Sequence, residues 1–331
     1  MSEPEQPPRG CTRRSVLLGV GLFPGLALGL LSGVSGCGVR WEGVRQGQPD
    51  PSTGTDPGVT ALLLELARCQ AAESAAASGT GTMSARLARL HAQQRAALLR
   101  RLAESGVDGH LEQPSSAITP ISRRTADSTA NPTAGPTVSP ALRLLAAESA
   151  GLDLPGRAAV AGVPADDIAL VGSLHVQRAV AVHRLGGSLP PWPAPVVASP
   201  EEGARLLSST RAAEYGLAVA AAQADRARAV AASRALASIQ TRRRLLASLA
   251  PDTSPAPLGH VLPFPVRTPQ AAARLGILVS QRLSASTLAG LPRAVGRPDA
   301  VATLLGWVHD SELIGLDWGA SPPALPGLIS P

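Results

Sequence analysis

The chain has 331 residues, a formal net charge of +6 and three cysteines. All 30 of its Lys-plus-Arg residues are arginine, and the missing lysine excludes a Walker-A phosphate loop, a Schiff-base enzyme and a lysine general base. Cys11 and Cys37 lie near the N-terminus, which leaves Cys69 alone in the body of the chain, so no internal disulfide framework is expected.

The first element runs from Thr12 to Cys37. It reads Thr12-Arg13-Arg14-Ser15-Val16-Leu17-Leu18, then an apolar run, then Val34-Ser35-Gly36-Cys37. A basic start, an apolar middle and small residues before a cut are the parts of a signal peptide. The pattern resembles a twin-arginine export signal that ends in a lipobox, where a bacterial prolipoprotein is acylated and cleaved before its cysteine. The resemblance implies a signal over residues 1-36, with Arg13 and Arg14 as its export signal and Cys37 as the lipidated residue. It implies a protein anchored by lipid at the extracytoplasmic face of the cell membrane. Val16 and Leu18 stand where Phe and Lys are usual in such signals, so the general export route stays open. An uncleaved anchor is the competing expectation, because the apolar run is about long enough to span a bilayer. Gly19, Gly21, Pro24, Gly25 and Gly29 weaken that run as a permanent helix.

Residues 37-56 are rich in Gly, Pro, Asp, Ser and Thr, and read as a flexible tether. Asp56-Pro57 opens a helix, with a capping carboxylate followed by a proline whose missing N–H costs nothing in the first turn. Gly79 and Gly81 end it, Thr82 is expected to cap a second helix, and Gly106 stops that one. An N-terminal helical region over 57-186 is thus expected, interrupted by a disordered Ser/Thr/Pro-rich linker at 107-138. The opening device recurs at Ser139-Pro140, Ser199-Pro200 and Thr268-Pro269, and Glu202 completes a capping-box pattern with Ser199. A proline-broken pair of helices is predicted over 141-185. The Pro-rich stretch 189-198 reads as a domain boundary. Four helices are predicted over 200-223, 225-249, 269-289 and 298-314, with the Pro-rich loop 251-267 as a packed crossover. No alternating β-branched run occurs, so the expected fold class is all-α.

Three segments carry a family resemblance: Arg211-Ala212-Ala213-Glu214-Tyr215-Gly216, Thr241-Arg242-Arg243-Arg244-Leu245-Leu246, and Val261-Leu262-Pro263-Phe264-Pro265-Val266. Together with Gly172-Ser173-Leu174-His175-Val176-Gln177-Arg178, Pro191-Trp192-Pro193 and the start Cys37-Gly38-Val39-Arg40, they resemble a ferritin-like domain found in lipoproteins of high-GC Gram-positive bacteria. The resemblance implies a C-terminal four-helix bundle over 200-318 beside an N-terminal helical hairpin or bundle, and no established activity. Ala-Ala-Glu also recurs at 71-73 and 146-148, which fits either a duplicated bundle or coincidence in an alanine-rich chain.

Catalytic chemistry finds little support. A di-iron bundle needs inward carboxylates and Glu-x-x-His pairs, and no Glu-x-x-His occurs in the sequence. The predicted helix 225-249 has no Glu or His, and 269-289 has no acidic residue. No metal ligand set, catalytic residue or cofactor is therefore expected, and Glu214 is expected to pair with an arginine. His309 and Glu312 are in the reverse order of the expected metal pair. Arg242, Arg243 and Arg244 are expected on a solvated, membrane-facing or wall-facing surface and not on nucleic acid. The preferred expectation is a non-catalytic envelope module that binds a protein or wall-polymer partner. The alternative is a metal or redox protein with a non-standard site built from Glu73, His91, Glu148 and His175.

Overall fold

The computed structural model describes residues 56–107, 138–249 and 259–328. The expected signal with Cys37, the expected tether up to residue 55, the interior of the 107-138 linker and the first part of the 251-267 loop lie outside the described residues. Among the described residues there are nine α-helices, one 3-10 turn and no strand, so the fold is all-α. None of these helices is long and apolar enough to cross a membrane.

Helices α1 (Pro57–Ala77) and α2 (Thr82–Glu104) form the expected hairpin. The proline-broken pair resolves into three: α3 (Pro140–Ser149), α4 (Leu154–Val160) and α5 (Ala165–Arg184). The extra helix starts at Asp153, whose carboxylate accepts from the Gly156 amide. Then come α6 (Pro200–Ala222), α7 (Ala229–Leu249), α8 (Pro269–Leu288), the 3-10 turn Leu291–Ala294, and α9 (Pro298–Asp317).

The cap-and-proline device behaves as its chemistry requires at all four sites. Asp56, Ser139, Ser199 and Thr268 each accept from a first-turn amide that has no partner inside the helix. Two details differ from expectation. Thr82 lies inside α2, and Gly81 stands at the cap with no side-chain bond. The Ser199 box is only half formed, because the Glu202 carboxylate turns to Arg205. Gly106 and Gly186 end α2 and α5 at φ 76° and 77°, a left-handed conformation that glycine adopts without a Cβ clash.

One core runs through both halves of the chain. It joins Leu62 and Leu66 of α1, Leu98 and Leu102 of α2, and Ile168, Val171 and Leu174 of α5 to Leu206, Val301, Leu305 and Val308 of α6 and α9. Each such side chain, taken fully out of water, contributes roughly 1.5–3 kcal/mol. A second core lies among α6, α7, α8 and the end of α9, built from Ala213, Leu217, Ala232, Ile239, Leu275 and Trp318. Helix α6 packs on α7 and α8, α8 on α9, and α9 touches α7. Small residues let these helices approach closely. At Gly276 an added Cβ would lie 2.3 Å from the buried Trp318 ring.

The Pro-rich stretch 189-198, read from sequence as a boundary, is a pinned crossover. Buried Arg157 donates to the carbonyls of Pro190 and Pro191 at 2.8 and 3.1 Å and stacks over Trp192. The Val196 amide donates to Thr303 of α9. The C-terminal segment after α9 folds back over the N-terminal helices, where Ala324 and Pro326 carbonyls accept from Gln94 of α2 and Ser173 of α5.

Candidate functional site

Two polar assemblies come out of this packing, one sealed and one open. The sealed one lies among α1, α2, α3 and α5. His91 is fully buried, with Nε2 2.7 Å from Oε1 of Glu148 and Nδ1 2.8 Å from Oε1 of Gln94. The Gln94 amide nitrogen donates to the Ala324 carbonyl, which turns its oxygen toward the imidazole. Both ring nitrogens therefore face acceptors, and the ring satisfies them only as a doubly protonated imidazolium. Burial opposes that charge, but bonds to Cys69, Glu148 and Gln94 outweigh it and hold the His91 pKa up at about 10. The Cys69 thiol donates to the His91 carbonyl at 3.1 Å, so this cysteine is a packed core group.

Beside it, buried Glu65 receives Arg68 at 2.6 Å and Arg178 at 2.9 Å. A buried carboxylate is tolerated on this scale only when paired and hydrogen-bonded. Burial, together with the Arg178, Arg157 and Arg68 cations, pushes His175 well below its usual pKa and keeps it neutral. Of the four residues of the metal alternative, the structure brings only His91 and Glu148 into contact. Glu73 is taken by Arg95 at 2.9 Å, and His175 sits among arginines. Among the described residues no group of three or more His, Cys, Asp and Glu has metal-holding geometry.

The three Ala-Ala-Glu glutamates share one local role, since each pairs with a cation of another helix: Glu73 with Arg95, Glu148 with His91, and Glu214 with Arg243 at 2.7 Å. The Glu214 expectation is therefore met. The surface expectation for the arginine triplet is corrected at Arg242. That residue is buried over the Trp307 ring and donates to Thr287, whereas Arg244 is exposed. Consecutive helical positions point about 100° apart, so one of three adjacent residues on a packed helix turns inward. Burial pushes the Arg242 pKa down, with Asp310 opposing.

The open assembly is a recess of about 560 Å³ between α2 and α5 on one side and α7 and α9 on the other. Arg86, Arg184 and Arg234 reach it from three different helices, joined by exposed His183 and by Asp310 and Asp317. Burial, with the Arg86 cation adding to it, pushes Arg184 below its usual pKa. Among the described residues none of the three arginines has a carboxylate within 4.0 Å. His183 stands edge-on to the buried His309 ring, which also lies 5.8 Å from Trp192; His309 Nδ1 is 3.4 Å from Asp310 Oδ1, and Nε2 has no hydrogen-bond partner among the described residues. Glu312, one turn from His309, instead accepts from Ser284.

A second, mostly apolar trough of about 310 Å³ lies between α6 and α8 under residues 260–263, with Tyr215, Gly216, Leu278 and Val279 in its walls.

Sequence reasoning missed Glu65, Arg178 and the recess. The first two carried a signal: Glu65 shares a face with Leu62 and Cys69, and Arg178 with Val171, Leu174 and Val182, so a polar residue on each apolar stripe marks a buried pair. The recess carried none, because its arginines are separated by 98 and 50 residues (184 minus 86, 234 minus 184). No family model, no curated protein and no solved structure matches the chain.

Proposed function

We propose that this protein is an envelope lipoprotein, exported on residues 1-36, acylated at Cys37, and built around a non-catalytic helical binding module. The export and lipobox pattern of the first 37 residues supports the location. Two or more acyl chains hold a protein stably at a membrane, and a processed lipobox cysteine supplies them. Residues α6 to α9, four long helices packed pairwise, support a ferritin-like bundle as the C-terminal part.

The observation that carries the binding reading is the contrast between the two polar assemblies. In the sealed one each carboxylate has a cationic partner, Glu148 with His91 and Glu65 with Arg68 and Arg178, as in a structural network. The open one brings three arginines of different helices to one recess, and among the described residues none has a carboxylate within 4.0 Å. A concave site of a few hundred Å³ with convergent polar groups is the usual form of a small-ligand pocket.

Mass spectrometry of the full chain isolated from bacterial membranes tests the location: the expected mature N-terminus is a diacylglyceryl-modified Cys37. An unmodified Cys37, or a retained Met1, would overturn it. Elemental analysis of the same material tests the non-catalytic reading, because stoichiometric iron, manganese or zinc would favour the metal or redox alternative.

A further inference from the structure

We propose that the recess between α2, α5, α7 and α9 binds a phosphate monoester or inorganic phosphate. This deepens the binding reading above and rests on the recess being the ligand site. Arg86 and Arg184 line one recess from α2 and α5, and among the described residues neither has a carboxylate within 4.0 Å. An anion bound in the recess would give both guanidiniums the acceptor they lack. Arg234 and the exposed His183 add donors from the opposite wall and from the end of α5. A carboxylate ligand offers two oxygens to this set. A phosphate monoester offers three terminal oxygens and a charge of about −2, which suits planar guanidinium donors arriving from several directions.

The two aspartates decide which oxyanion is preferred. Asp310 and Asp317 line the same recess, on the α9 side; one Asp310 oxygen lies 3.4 Å from His309 Nδ1, and neither aspartate pairs with the recess arginines. A carboxylate beside an oxyanion repels it unless the oxyanion carries a proton to donate. Monohydrogen phosphate and a singly protonated phosphate monoester carry such an O–H, which a carboxylate accepts, whereas sulfate at neutral pH carries none. The recess is therefore built to select phosphate over sulfate, with the arginines supplying affinity and the aspartates discrimination.

Titration calorimetry on the full acylated chain in detergent, with inorganic phosphate and then glycerol phosphate as probes, measures this. We expect saturable binding that weakens at least tenfold in R86Q and in R184Q, and at least tenfold weaker binding of sulfate. In D310N/D317N the discrimination against sulfate should shrink while phosphate still binds; that variant changes two exposed residues and keeps the result readable should an arginine variant fold poorly. Absence of phosphate binding, unchanged affinity in both arginine variants, or equal binding of sulfate would overturn the proposal. Competition by phosphatidylcholine vesicles containing phosphatidic acid, but not by phosphatidylcholine alone, would assign the phosphate to a lipid headgroup. Binding that neither vesicle reduces would assign it to a soluble phosphate, and both outcomes keep the shared chemistry. A missing Cys37 acyl group would remove the anchoring reading and leave the phosphate result standing. Failure of phosphate on an acylated protein would remove only the ligand class.

Discussion

At the scale of single residues, the molecule is held by charges placed where water cannot reach them. His91 and Glu148 are 57 positions apart and fully buried, and their contact ties α3 to the α1–α2 hairpin. The folded protein binds the His91 proton more tightly than the unfolded chain does, since the pKa is about 10 against 6.5. The stability from this proton is thus complete below about pH 6.5 and is lost as pH rises toward 10. The slope across that window reaches at most about 1.4 kcal/mol per pH unit for a single group. Urea unfolding followed by circular dichroism from pH 6 to 10 should show this decline in the native chain. The double variant H91Q/E148Q, an uncharged pair of similar shape, should show a flatter profile; an equally steep one would mean that other groups carry the dependence. Arg242 illustrates the opposite case, a buried guanidinium held by a hydroxyl and an aromatic face, with no carboxylate within 4.0 Å among the described residues.

At the scale of elements, helix starts follow local chemistry and helix contacts follow side-chain size. Four Asp/Ser/Thr-Pro pairs open four helices, because the cap supplies an acceptor and proline needs no donor there. The glutamate-to-cation pairs, with Glu202 gripped by Arg205 and Arg205 donating to Ser286 of α8, then fix neighbouring helices against one another. Close approach needs absent side chains. G276A should cost about 1–3 kcal/mol, because the added methyl meets the Trp318 ring, a rigid group with no room to move. A shift in the urea midpoint reads this directly. Helix propensity alone predicts the reverse sign, since Ala outranks Gly inside a helix.

At the scale of the whole molecule, the N-terminal and C-terminal helices share one core, and the described residues belong to one compact unit. The C-terminal segment reinforces this by accepting hydrogen bonds from Gln94 and Ser173 across 230 and 153 positions of chain. Truncation after Trp318 removes both carbonyls and leaves two inward-facing donors unpaired, at about 1–3 kcal/mol each. Scanning calorimetry should show a clearly lowered midpoint for the truncated protein. An unchanged midpoint would mean that water replaces both carbonyls at no cost. The intact chain should unfold in a single transition, because the α5–α9 contact leaves neither half with a complete core of its own.

The all-α class, most helix boundaries and the pairing of Glu214 with an arginine were legible in the amino-acid sequence. These are local properties: caps, proline and glycine positions, apolar spacing and composition act within a few residues. Which charges are buried together and which are left open follows from helix packing alone. His91 meets Glu148, Glu65 meets Arg178, and Arg86, Arg184 and Arg234 converge on one recess through helix packing. Such pairings depend on the relative rotation and distance of helices far apart in the chain. Those follow from the summed fit of many apolar side chains, and no single motif encodes that sum.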